Sequence, residues 1–142
     1  MSQENVEIVY RARDAFNRRD LEALAEMTHD ELEFSSVLTA VDAGGSTYRG
    51  QKTWATYFAR MDDAWGDWRV ADFRAFDAGD DLVAAVFRIG GTGKSSGAQV
   101  DRLVGLVYQL RDGKLWRMQS YLDPAEALEA AGLSEQDAHA DS

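Results

Sequence analysis

The stretch LVGLVYQLRDGKLWRMQSYLD, residues 103–123, decides the fold of this chain. Two runs rich in β-branched and aromatic residues lie on either side of Arg111-Asp112-Gly113-Lys114. Asp-Gly is the typical centre of a tight hairpin turn, because such a turn needs positive φ angles that glycine adopts at little cost. The pattern predicts a long β-hairpin near the C-terminus, with strands at about 98–110 and 114–122.

The N-terminal half has the 3.6-residue periodicity of amphipathic helices. One helix is predicted over 3–18, a second at about 21–28 with Asp20 as its N-cap, and a third at about 51–64 after Gly50. The apolar face of the first contains Val6, Val9, Arg13 and Phe16, and that of the third contains Trp54, Tyr57, Phe58 and Met61.

The remaining segments alternate as strands do, at 31–37, 46–49, 68–76 and 82–89. Residues 38–46 are predicted to form a loop, and GGTGKSSG at 90–97 a glycine-rich hairpin loop. Pro124 begins a short final helix that ends at Gly132. Helices grouped before an antiparallel sheet indicate an α+β fold, in which a curved sheet wraps over the helices and makes a pocket.

Length and charge narrow the function classes. A chain of 142 residues is expected to form one domain, here residues 1–132, followed by a flexible acidic tail at 133–142. The net charge of −10 disfavours binding to nucleic acids or to anionic membranes. No apolar run reaches the roughly 18 residues of a membrane span, no secretory signal is evident and cysteine is absent, so a cytoplasmic location is the default expectation.

Several strings, in order, resemble the SnoaL-like branch of the nuclear transport factor 2-like superfamily, which includes polyketide cyclase-like proteins. They are AFNRRDLEAL at 15–24, Tyr48-Arg49-Gly50 before the third helix, YQLRDGK at 108–114 and Tyr121-Leu122-Asp123. The resemblance covers residues 3–132. It implies a cone, in which a strongly curved antiparallel or mixed sheet closes over three helices and encloses an apolar cavity, and it implies a homodimer formed through the outer face of the sheet.

The catalytic residues of related enzymes are not matched when the chain is aligned with the family. The positions of the ketosteroid isomerase type fall on Ala12, Ser36 and Leu106, where a tyrosine and two aspartates are required. The catalytic aspartate of the cyclase type falls on Ser120, and so does one aspartate of the epoxide hydrolase type. The Arg-x-Asp string of that last type falls on Ala85-Val86-Phe87. The family resemblance therefore leaves the reaction unassigned.

Strand alternation and the family alignment together predict which side chains line the cavity. Val100, Arg102, Val104, Leu106 and Tyr108 share one face of their strand, and Trp116, Met118 and Ser120 share one face of the next. An aromatic wall with a polar handle is typical of a site for a small apolar or aromatic molecule, although the same aromatic residues also make an ordinary core. The predicted ligand-binding residues are Ser36, Trp54, Tyr57, Phe58, Arg102, Leu106, Trp116, Met118 and Ser120.

Three charged residues are the candidates for catalysis. An inward Arg102 requires a partner, either an internal acid such as Glu33 or an anionic ligand, unless it is exposed. Asp101 faces outward in this register, but a one-residue bulge would exchange the two and make Asp101 the best general base. The catalytic candidates are therefore Asp101, Arg102 and Glu33.

No metal site or cofactor is expected, because His29 and His139 lack the spacing and the clustered acids that ligation needs. GGTGKSSG lacks the strand–loop–helix context of a phosphate loop. Two hypotheses follow. The protein is either a small-molecule-binding protein, with isomerase, cyclase or hydrolase activity left open, or a non-catalytic dimeric module whose cavity is packed and whose outer face presents Leu103, Gly105 and Val107.

Overall fold

The helices and strands follow one another in the order that the sequence predicts. The computed structural model describes residues 2–36 and 46–133, so residues 38–45 of the loop predicted at 38–46 and residues 134–142 of the tail predicted at 133–142 lie outside the described residues. The helices are α1 (Ser2–Asn17), α2 (Leu21–Glu26), α3 (Thr53–Ala64) and α4 (Pro124–Ala130), and the strands are β1 (Thr28–Ser36), β2 (Ser46–Arg49), β3 (Trp65–Gly79), β4 (Leu82–Gly93), β5 (Gln99–Arg111) and β6 (Lys114–Tyr121).

The six strands form one curved, unclosed sheet in the order β2-β1-β6-β5-β4-β3. All neighbours are antiparallel except β1 and β6, which are parallel, so the sheet is mixed. The predicted hairpin is confirmed: Arg111 pairs with Lys114, and Asp112 and Gly113 have φ angles of 54° and 72°. Positive φ at both central residues is the signature of the primed turn.

The first four residues of the glycine-rich segment GGTGKSSG belong to strand β4, which corrects the prediction of a hairpin loop over the whole of 90–97. Gly90 and Gly91 pair with Asp101 and Val100, and the turn begins only at Lys94. A Cβ on Gly91 would lie 3.0 Å from the Cβ of Trp68. The glycine therefore permits the neighbouring strand to approach closely, a role that composition alone does not distinguish from a loop.

Bulges in β3 and β6 change which side chains face inward. In β6, Gln109 pairs with Arg117 and Leu110 pairs with Leu115, so Trp116 is the extra residue. In β3, the pairing shifts between Ala71 and Arg74. A bulge places two residues opposite one, so the strict alternation of inward and outward side chains that the sequence predicts does not hold at these points.

The inner face of the sheet, defined here as the face that packs against α1 and α3, carries the main core. Phe16 of α1 contacts Trp54, Tyr57 and Phe58 of α3, with ring centroids 5.0–6.0 Å apart. The Asp20 side chain accepts a hydrogen bond of 3.1 Å from the Ala23 amide, which confirms the predicted cap of α2. The apolar faces predicted for the two helices thus form a shared aromatic layer above the sheet.

The outer face of the sheet, opposite α1 and α3, is partly covered by α4. A Cβ built on Gly105 would lie 2.5 Å from the Cβ of Ala127, so only glycine permits this approach. Val107 packs in the small apolar cluster that contains Leu128. Gly105 and Val107 lie on the outer face as predicted, but α4 covers Gly105 and Val107 is half-buried, which leaves less of this face for a second subunit than the sequence indicates. Leu103 remains 44% exposed.

Within the described ranges, no helix combines the length and the apolar character needed to cross a membrane.

Candidate functional site

An apolar cavity lies between the helices and the inner face of the sheet. Its volume is about 50 Å³, well below the roughly 300–1,000 Å³ of typical ligand sites. The side chains that line it are Ala12, Arg13, Phe16, Leu24, Phe34, Trp54, Tyr57, Val70, Phe73, Phe87, Ile89, Leu106, Tyr108, Leu115 and Met118. The cavity is therefore the incompletely filled part of the aromatic core.

The helix and strand periodicities of the sequence determine which side chains form most of this lining. Ala12 and Phe16 lie one turn apart on α1, and residues i and i+4 share a helix face. Leu106 and Tyr108 alternate correctly on β5, opposite Ser120 and Met118 of β6. The β6 bulge places Leu115, rather than Trp116, beside Met118 in the cavity wall.

The cavity approaches the surface between α1 and β3. Its half-buried lining residues are Arg13, Phe16, Val70 and Phe73, whereas the rest of the lining is buried. The Arg13 guanidinium lies 5.4 Å from the ring centroid of Tyr10 and 5.3 Å from that of Phe73. These cation–π contacts hold Arg13 at the mouth of the cavity.

Two polar groups of the wall have protein partners. Trp54 Nε1 donates to Thr28 Oγ1 at 2.9 Å, and Thr28 in turn donates to the Leu24 carbonyl at 2.6 Å. The Tyr57 side chain hydrogen-bonds to Ser36. Burial raises the pKa of Tyr57 far above its ordinary value, the Ser36 hydrogen bond opposing this shift only in part, so its hydroxyl is neutral at physiological pH.

The Tyr108 hydroxyl differs from these two groups. Tyr108 is 6% exposed and lines the cavity, yet its hydroxyl forms no hydrogen bond with any described residue. The fully enclosed polar atoms without a partner are Thr53 Oγ1 and Trp116 Nε1. The Tyr108 hydroxyl has no partner either but is not among them, so it borders open space. Burial raises the pKa of Tyr108 far above its ordinary value, and the charge of Arg13 opposes this shift. The group is a neutral O–H that is free to bond to a ligand.

No carboxylate or imidazole is present among the described residues that line the cavity. Nor do residues 2–36 and 46–133 contain a cluster of three histidine or acidic side chains arranged to hold a metal ion. The chemistry that this cavity offers therefore consists of aromatic packing, one hydroxyl and one guanidinium.

The structure brings only some of the predicted ligand-binding residues to the cavity. Trp54, Tyr57, Leu106 and Met118 line it. Ser36 is buried behind Tyr57 as its hydrogen-bond partner. Phe58 and Ser120 are buried beyond the cavity wall: Phe58 packs on Phe16 and Trp68, and Ser120 Oγ lies 3.5 Å from the Ser35 carbonyl oxygen.

Trp116 lies outside the cavity because of the β6 bulge. The guanidinium groups of Arg111 and Arg117 lie 4.8 and 4.2 Å from its ring centroid. These three residues line a surface groove together with Glu33. The expectation that Trp116 faces inward is therefore corrected.

The three charged candidates also lie outside the cavity. Arg102 pairs with Ile89 and so lies on the inner face of the sheet, as predicted. It is nevertheless exposed, because the sheet extends there beyond the cavity. Asp101 is exposed on the outer face and forms an ion pair of 3.3 Å with Arg88. Glu33 pairs with Arg49 at 3.6 Å and Arg117 at 3.4 Å, rather than with Arg102.

Sequence reasoning missed Arg13, Phe73 and Tyr108 as site residues. An arginine on the apolar face of α1, at i+7 from Val6, was the available signal for Arg13. Tyr108 was placed on the correct strand face, but its lack of a partner is a tertiary property. Phe73 had no usable signal, since the β3 bulge beside it disrupts the alternation.

The fold and the apolar cavity define a class of small α+β proteins with a cone-shaped sheet. The family model described as the SnoaL-like domain matches residues 9–118. This chain therefore belongs to the SnoaL-like family. No protein of curated function matches it.

Solved structures support the fold. A candidate polyketide cyclase from Xanthomonas campestris is 20% identical, with a TM-score of 0.71 over 92% of this chain and 98% of the other. A nuclear transport factor 2-like protein of unknown function from Burkholderia pseudomallei is 17% identical, with a TM-score of 0.73 over 89% and 95%. TerC, co-crystallised with polyporic acid, is 21% identical, with a TM-score of 0.72 over 91% and 98%.

Proposed function

We propose that this protein binds a small, largely apolar, flat molecule in the cavity of the cone. The observation that carries the proposal is an aromatic cavity reaching the surface at Arg13 and bordered by a free hydroxyl on Tyr108. Ligand sites typically combine apolar walls with a few polar groups that fix orientation. The co-crystallisation of TerC with polyporic acid supports the same use of a similar fold.

The small volume of the cavity determines how a ligand enters. A cavity of about 50 Å³ holds only one or two water molecules, since each occupies roughly 30 Å³ in the liquid. A ligand of one or two aromatic rings requires the mouth to widen. Arg13 and Phe73 are the side chains suited to this movement, because both are half-buried and lie at the mouth of the cavity.

Binding without acid–base catalysis fits the polar groups of the wall. Abstraction of a proton from carbon requires a base that is unprotonated near neutral pH. Tyr57 and Tyr108 have raised pKa values, so both remain protonated there. Arg13 is a cation throughout the physiological range. The proposed role is therefore recognition of the ligand by a site that lacks a base among its described residues.

The test is a titration of 2-naphthol into the protein, followed through the methyl resonances of the cavity. We expect shifts at Ile89, Leu106 and Met118, and none at the exposed Leu103 on the outer face. Ala12→Leu adds three carbons to the cavity wall and is expected to weaken binding at least tenfold. Ala55→Leu is the matched control, because Ala55 is exposed on α3.

A second candidate function is a non-catalytic interaction module that dimerises through the outer face. The small cavity volume favours it, as does Leu103, which is 44% exposed. Absence of cavity shifts with 2-naphthol, together with a concentration-dependent dimer that Leu103→Asp dissociates, would favour this module and overturn the binding proposal.

A further inference from the structure

The unpartnered polar groups of the cavity identify the chemistry of its ligand more closely. Of the hydroxyl and indole groups in the wall, Trp54 and Tyr57 already bond to Thr28 and Ser36. The Tyr108 hydroxyl has no such partner among the described residues. A buried hydroxyl without a partner is costly unless a ligand or water completes its hydrogen bonds.

Arg13 is the charged side chain of the described cavity lining. Its Nε donates to Asp14 Oδ1 at 2.6 Å, and the Asp14 side chain is 54% exposed. A guanidinium has five N–H donors. The remaining four form no hydrogen bond with a described residue, and the group instead lies against the rings of Tyr10 and Phe73.

These two groups belong to one polar locus in an otherwise apolar wall. Both line the same cavity, and the charge of Arg13 acts on the Tyr108 hydroxyl. Arg13 supplies a positive charge at the half-buried mouth, and Tyr108 supplies a neutral donor in the buried part. No acid lines the described cavity, and the Asp14 carboxylate that pairs with Arg13 lies outside the lining.

Resting on the proposed binding function, we infer that the cavity selects flat apolar ligands that present an anionic oxygen, a carboxylate or an ionised phenol, to Arg13 and Tyr108. An anionic oxygen accepts hydrogen bonds from a guanidinium and a phenol simultaneously, and bonds to charged acceptors are stronger than neutral ones. Displacement of the Arg13 guanidinium from the Tyr10 and Phe73 rings would both open the mouth and direct its free N–H groups to the ligand.

The experiment compares two probes of nearly the same shape, 2-naphthoate and 2-acetylnaphthalene, by calorimetry. The carboxylate is expected to bind at least tenfold more tightly than the methyl ketone. Tyr108→Phe and Arg13→Met are each expected to reduce 2-naphthoate affinity about tenfold or more, while changing ketone affinity by less than about threefold. The charge preference is a readout that a merely structural role for these residues would not alter.

Matched controls separate the cavity from the rest of the protein. Tyr121→Phe removes a phenol from the strand position that pairs with Gly105, on the outer face, and Arg11→Met removes an exposed cation from α1. Both are expected to retain the preference for 2-naphthoate. Equal binding of the two probes by the wild-type protein would overturn the inference while leaving the binding function in place. Binding of neither probe would overturn both.

Discussion

Substitution of Gly105 by alanine tests how closely α4 is seated on the outer face of the sheet. The new Cβ would lie 2.5 Å from the Ala127 Cβ and 3.2 Å from the Pro124 Cα. Carbon atoms in contact prefer about 3.5–4.0 Å, so the helix must move outward by roughly 1 Å. Overpacking of this kind costs about 1–3 kcal/mol. At roughly 2–4 °C per kcal/mol for a protein near this size, a cost in the middle of that range, about 2 kcal/mol, is expected to lower the Tm of Gly105→Ala by about 4–8 °C.

Thermal unfolding followed by circular dichroism measures this effect, with Gly66→Ala as the matched control. The nearest atom to a Cβ on Gly66 is the Thr92 carbonyl oxygen at 3.8 Å, an ordinary contact, and the Gly66 backbone is not left-handed. The control is therefore expected to change stability by less than about 0.5 kcal/mol or to increase it slightly.

A double variant tests the proposed clash directly. Ala127→Gly alone is expected to cost about 1 kcal/mol, because glycine is unfavourable inside a helix. In combination with Gly105→Ala it removes one of the two clashing methyl groups, so the pair is expected to be about 1–2 kcal/mol more stable than the sum of the single variants. Strict additivity, or a Gly105→Ala variant as stable as the wild type, would refute the argument.

Three further predictions concern the polar contacts. Asp62 accepts a hydrogen bond from Trp68 Nε1 at 2.7 Å, and this bond is the largest of the contributions that lower the pKa of Asp62. The wild type is therefore expected to have a higher Tm than Asp62→Asn at pH 7. This difference in Tm is expected to disappear as the pH falls below about 4. Trp54→Phe removes the hydrogen bond to Thr28 and is expected to cost about 1–3 kcal/mol in chemical denaturation. Glu33→Gln is expected to cost less than about 1 kcal/mol and to leave 2-naphthol affinity unchanged, because its ion pairs are partly exposed outside the cavity.

Each of these has a contrary outcome. A Tm difference for Asp62→Asn that is constant with pH would show that the carboxylate charge does not contribute. Unchanged stability in Trp54→Phe would show that the Trp54–Thr28 hydrogen bond adds nothing over the bonds that the indole N–H makes to water in the unfolded chain. A loss of 2-naphthol binding in Glu33→Gln, at unchanged Tm, would show that Glu33 takes part in ligand binding.

The local elements and their order were predictable from the sequence because they depend on short-range effects. The helical spacing of Trp54 and Phe58 gave the buried face of α3. Asp112 and Gly113 gave the hairpin, since few residues adopt positive φ at both central positions of a turn. The alternation on β5 correctly placed Leu106 and Tyr108 on the inner face.

The site itself depended on the tertiary structure. One extra residue at Trp116 moved a predicted cavity residue to the surface, and the β3 bulge hid Phe73 from any periodicity argument. Arg102 is exposed because β5 extends beyond the helices at that end. The Tyr108 hydroxyl has no hydrogen-bond partner because no described residue from a distant segment supplies one. The sequence by itself determined the elements and the SnoaL-like class, because turns and amphipathic faces are local. Only the tertiary structure decided the lining of the cavity, because bulges and hydrogen-bond partners arise from residues far apart in the chain.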